Sequence, residues 1–72
     1  MWIEINNELV NLGNVANIYV HEALVVFTFV GGVSDEEYNT SVAKYPFGSE
    51  SEARKVYEKI KELLKPVDVT EE

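Results

Sequence analysis

Cysteine is missing from this 72-residue chain, and its first 43 positions contain no lysine or arginine. The first absence excludes disulfides and thiolate-ligated metals. A single histidine, His21, cannot assemble an ordinary zinc site. The second absence leaves Glu4, Glu8, Glu22, Asp35, Glu36 and Glu37 with no cation in their half of the chain. Nucleic-acid binding by that half is not expected, because phosphates need cations there. Anionic membrane surfaces are disfavoured for the same reason. No apolar run is long enough to span a bilayer, and the longest, 23–30, is strand-sized. No basic stretch precedes a signal-like apolar core, so a cytoplasmic location is expected.

What is present describes a small folded domain. Hydrophobic residues make up 46% and charged residues 26%, which fits a packed core and not a disordered chain. The formal net charge is −7. One domain over residues 1–66 is expected, followed by an acidic C-terminal tail, 67–72. A chain this short is marginally stable alone. With disulfides and metals excluded, the remaining supports are a well-packed core and association with another chain.

Trp2-Ile3-Glu4-Ile5 alternates like a strand. Asn6-Asn7 reads as a two-residue turn, since Asn tolerates positive φ, and Glu8-Leu9-Val10-Asn11 returns as the second strand. Leu12-Gly13-Asn14 reads as a turn, with room for one helical turn at Asn14-Val15-Ala16. Ile18-Tyr19-Val20 resumes extended structure, and His21-Glu22-Ala23 is a short connection. Leu24 to Val30 is the strongest strand signal, rich in Val and Phe and free of Gly, Pro and charge. Val25, Phe27 and Phe29 share one face, and Leu24, Val26 and Val30 share the other with Thr28. A strand apolar on both faces is expected to be central and covered twice. Gly31-Gly32 ends it, and 33–40 reads as the longest loop. Ser41 to Phe47 is a further strand, with Pro46 suited to its end or to a sheet edge.

Ser49 followed by Glu52 is a capping box, and the acidic first turn suits the positive end of a helix dipole. Ala53, Val56, Tyr57, Ile60, Leu63 and Leu64 fall on one helical face, with charged residues opposite and Arg54 set to pair with Glu58. Pro66 stops the helix. The expected fold is α+β: an antiparallel, curled sheet of four or five strands with one C-terminal helix packed on one face. A helix of about 16 residues is roughly 24 Å long and covers only one face of a sheet. The second face then needs either the curl of the sheet or a second chain.

No catalytic set emerges. His21 and Glu22 lack a nucleophile or further ligands, and neighbours on an extended chain point apart. Asp35-Glu36-Glu37 with Asn39 does not match a calcium loop, and Gly31-Gly32 has neither the Lys-Ser or Lys-Thr nor the helix of a phosphate loop. Catalytic, cofactor-binding and metal-binding residues are therefore expected to be absent.

Glu8-Leu9-Val10-Asn11-Leu12 with Asn14-Val15, the Phe-rich Val26-Phe27-Thr28-Phe29, the Phe47-Gly48 step and the helix opening at Ser49 together resemble a group of short bacterial proteins. That group brings no assigned activity, cofactor or catalytic residue. The last strands and helix also look like the end of a pleckstrin-homology-like domain, but the basic phosphoinositide-binding loop of those domains is missing.

The function expected from these features is a non-enzymatic interaction or regulatory module that self-associates, as a dimer, without nucleic acid or membrane partners. Its expected contact residues are Trp2, Tyr19, Val25, Phe27 and Phe29. The alternative is an acidic mimic of nucleic acid that inhibits a basic protein. It requires Glu4, Glu8, Glu22 and Asp35 to Glu37 to form one surface.

Overall fold

A computed structural model describes residues 1–30 and 41–70 of the chain. Strands β1 (Trp2–Ile5) and β2 (Glu8–Asn11) form a hairpin. Its turn is Asn6-Asn7, with φ at 50° and 68°. A two-residue turn of this hand needs positive φ at both positions, which explains the two asparagines. A 3-10 turn at Leu12–Asn14 follows, capped by Asn11, whose Oδ1 accepts from the Gly13 N–H at 3.0 Å. The helical turn thus lies earlier than expected, and Val15 and Ala16 already belong to a strand.

Strands β3 (Val15–His21), β4 (Leu24–Phe29) and β5 (Val42–Pro46) make a second, antiparallel sheet in the order β3-β4-β5. The doubly apolar strand is central, as its composition requires. A bulge between Val15 and Asn17 interrupts the β3–β4 register at Ala16. Beyond it, Ile18 faces Phe27 and Val20 faces Val25 on one side of the sheet, while Tyr19 faces Val26 on the other.

Helix α1 (Glu50–Leu64) closes the chain's regular structure. Ser49 Oγ accepts from the Glu52 N–H at 3.2 Å. The Glu52 carboxylate accepts from Gly48 N–H at 3.0 Å, one residue before the cap. This satisfies the same kind of exposed donor as a reciprocal box. The ion pair on the helix is Lys61 to Glu58, at 3.8 Å, in place of the expected Arg54–Glu58 pair. The helix ends at Lys65, which takes a left-handed φ of 49° ahead of Pro66.

The core lies between three elements. The hairpin contributes Ile5 and Val10, the three-stranded sheet Val25, Phe27 and Tyr45, and the helix Ala53 and Ile60. Each large side chain buried this way stabilises the fold by roughly 1.5–3 kcal/mol. The Phe27 and Tyr45 rings meet edge to face at 5.5 Å, the arrangement their quadrupoles favour. Tyr45 also donates its hydroxyl to Glu8 Oε1 at 2.7 Å, which ties β5 to the hairpin.

The expected single curled sheet is not what forms. The five strands divide into two sheets, neither curled nor closed. The chain crosses from one sheet to the other at the Leu12–Asn14 turn: the Leu12 N–H still donates to the Met1 carbonyl beside the hairpin, and the Asn14 carbonyl already accepts from the Val30 N–H beyond β4. The inner face of β4 is covered jointly by helix and hairpin, so the helix does not act alone. On the outer face Val26 retains only 1% of its surface within one subunit, flanked by Tyr19 and Lys44 on the adjacent strands. The demand for a second chain to shelter that residue is therefore met inside the monomer. Thr28 keeps a buried hydroxyl with no partner among the described residues.

Candidate interaction surface

The five residues expected at a contact separate into two groups. Val25 and Phe27 are fully buried in the core, where no surface remains for a partner, and Phe29 is half-buried against it. Trp2 and Tyr19 are exposed, at 63% and 46%. They stand on different sheets. Trp2 shares the outer face of the hairpin with exposed Leu9, and Tyr19 stands on the outer face of β3.

Among the described residues the carboxylates do not gather as a nucleic-acid mimic requires. Glu4 pairs with Leu9 on the outer face of the hairpin, whereas Glu8 pairs with Ile5 on the face turned towards Tyr45. Glu22 lies in the β3–β4 turn, and Asp35 to Glu37 lie outside the described residues, as do Gly31-Gly32 and the 33–40 loop. Contrary to expectation, His21 and Glu22 do converge, with Nε2 and Oε2 3.9 Å apart. Glu22 has a φ of 57°, and this left-handed turn brings the two side chains round to one side. Both are largely exposed, which leaves a solvated corner.

Sequence reasoning missed a groove of 270 Å³ between β3 and the second half of the helix. Leu12, Val15 and Ile18 form one wall and Tyr57, Ile60 and Leu64 the other. Lys61 stands among them, its ammonium 5.9 Å from the Tyr57 ring centre, and Pro66 borders the same groove. The bulge at Ala16 bends the backbone of β3 where it meets the groove. Bulges recur where a strand must be redirected near a site. The groove is slightly below the ~300–1,000 Å³ of small-molecule pockets, so individual side chains suit it better.

The margin of β3 beside this groove is chemically open. Its residues 15–20 include no charge, proline or glycine. Among the described residues its one strand partner is β4, and at its start the Val15 N–H donates to the Leu12 carbonyl. The opposite margin, β5, carries Lys44 and Pro46, the residue types that blunt an edge. It is tied further by Asn6 Nδ2, which donates to the Pro46 carbonyl at 3.3 Å. One signal in the sequence pointed to this asymmetry: an uncharged strand beside a helix whose apolar face runs on past Ile60 to Leu63 and Leu64.

Among the described residues Tyr45 is the group whose titration is most displaced. Burial, then the hydrogen bond to the Glu8 carboxylate and its negative charge, push the phenol up to about 12. Among the described residues no group of three or more His, Cys, Asp or Glu converges on a point that could hold a metal. No helix among them is long and apolar enough to cross a membrane. Comparison with protein-family models, with curated proteins and with solved structures finds no match to this chain.

Proposed function

We propose that this protein is a non-enzymatic interaction module, of the regulatory kind, that associates with itself through the open margin of β3. The supporting observation is the contrast between the sheet's two edges: β5 is guarded by Lys44 and Pro46, and β3 is not. An unguarded edge offers a row of backbone donors and acceptors to another chain. The groove at its side adds apolar surface, and Tyr19 stands on the strand itself. The doubly apolar β4 no longer carries this reading, because Val26 is sheltered within one subunit. The acidic-mimic alternative gains no support, since Glu4 and Glu8 leave the hairpin on opposite faces.

Sedimentation equilibrium over a dilution series tests the proposal. The wild-type chain is expected to shift from dimer to monomer as it is diluted. Tyr19→Lys gives β3 the type of guard that β5 has, and is expected to remain monomeric further up the series. A wild-type chain that is monomeric at every concentration defeats the reading.

A further inference from the structure

The segment that follows the helix has the residue pattern of a strand, yet among the described residues it pairs with no strand. Val67 and Val69 are 84% and 85% exposed, the most solvent-facing large apolar residues among those described. In an extended chain alternate residues share a side, so both valines would face one way and Asp68 and Thr70 the other. β-Branched residues favour strands. The segment is held at present by one local bond, from the Thr70 N–H to Asp68 Oδ1 at 2.9 Å, which strand pairing would replace.

The groove beside β3 complements this segment point for point. Its walls are apolar and its charged lining residue is Lys61. The charged residues after Lys65 are all acidic: Asp68, Glu71 and Glu72. The adjacent β3 margin supplies backbone partners that residues 67–70 lack.

The chain's own segment does not occupy its own groove. Pro66 borders the groove, but beyond it Val67 and Val69 stand in solvent and not against the groove walls. We infer that residues 67–70 of one copy dock as an added strand on β3 of a second copy, with Val67 and Val69 in the groove and acidic residues near Lys61. This inference rests on the self-association proposed above and names the element that performs it. Reciprocal exchange between two copies produces a closed, two-fold pair that buries both segments and leaves no free groove to recruit a third.

The test uses the full-length chain. Val67→Asp/Val69→Asp changes only exposed side chains, so folding is spared. Wild type and variant are compared by sedimentation equilibrium and by amide hydrogen exchange of Ile18 and Val20, whose N–H groups face away from β4, at high and low concentration. The expected result is a dissociation constant at least about tenfold higher in the variant, with loss of the concentration-dependent protection on β3. Equal dissociation constants overturn the tail exchange while leaving self-association through β3 intact. Protection of β3 in a monomeric wild type, lost in the variant, overturns the exchange in favour of docking within one chain. A wild type that is monomeric and unprotected throughout overturns this inference together with the self-association on which it rests.

Discussion

The two margins of the three-stranded sheet, β5 and β3, are built from similar lengths of chain and treated oppositely by the rest of the molecule. At β5, Tyr45 is buried, its ring meets Phe27 edge to face, and its hydroxyl holds Glu8. Lys44 and Pro46 guard the edge, and Asn6 reaches across to the Pro46 carbonyl. At β3, Val15, Ile18 and Val20 lean on the core, and among the described residues no strand pairs with the edge away from β4. The difference shows that a small domain can spend its few polar ties on one edge and leave the other open for use.

The largest blow to the comparison comes from removing what both margins share. Phe27 lies opposite Ile18 of β3 and Ala43 of β5, with no exposed surface. Phe27→Ala is expected to cost about 3–5 kcal/mol, read from urea or guanidinium unfolding. For a domain of this size that is a large share of total stability, and both edges should loosen together.

A narrower change releases β5 alone. Tyr45→Phe keeps the ring and loses the bond to Glu8, with an expected cost of roughly 1.5–3 kcal/mol at neutral pH. Its signature is alkaline. The folded phenol titrates at about 12, above its ordinary value of 10.0. A raised folded pKa contributes stability that is complete below the unfolded value and is lost as pH rises through the folded one. The stability difference between wild type and Tyr45→Phe should therefore be steady below about pH 10 and shrink between there and about pH 12. A difference that stays constant across that window would show that the hydroxyl is not held as described.

The smallest expected effect sharpens the contrast. Tyr19→Lys on β3 should change unfolding free energy by no more than about 1 kcal/mol, because the side chain is half exposed and the lysine stem can still lie over Val26. Its consequence belongs to association, not to folding. A loss of several kcal/mol would mean that Tyr19 is structural and that the β3 margin is less free than it looks.

Much of the β5 side was legible in the chain. Pro46 marked a strand end, Ser49 with Glu52 marked the helix start, and Asn6-Asn7 marked the hairpin turn, because each is a local preference acting within a few residues. The central place of β4 was legible as well, from apolar residues on both its faces. The division into two sheets was not, because it depends on which edges meet across long stretches of sequence. Nor was the fate of Val25 and Phe27. Composition marks them as apolar and strand-forming, but cannot tell a core from a contact. The groove arises from the juxtaposition of Leu12, the bulge at Ala16 and the last turns of the helix, and only tertiary packing brings these together. Leu63 and Leu64 fit the helical apolar stripe and yet stay exposed, because each borders an open cleft, Leu63 beside Ile3 and Ile5 and Leu64 beside β3.

Lys65 has a consequence of its own. A lysine in left-handed backbone costs roughly 1–2 kcal/mol relative to the right-handed form, and glycine is the residue helices ordinarily place there. Coupled to Pro66, whose ring fixes φ, it narrows the directions open to the residues beyond. A segment aimed in advance surrenders less freedom when it is captured. Lys65→Gly should therefore raise the helix's own stability by about 0.5–1 kcal/mol in thermal unfolding while loosening the aim and weakening association. Strain at a single hinge would then be the means by which the molecule keeps its arm extended.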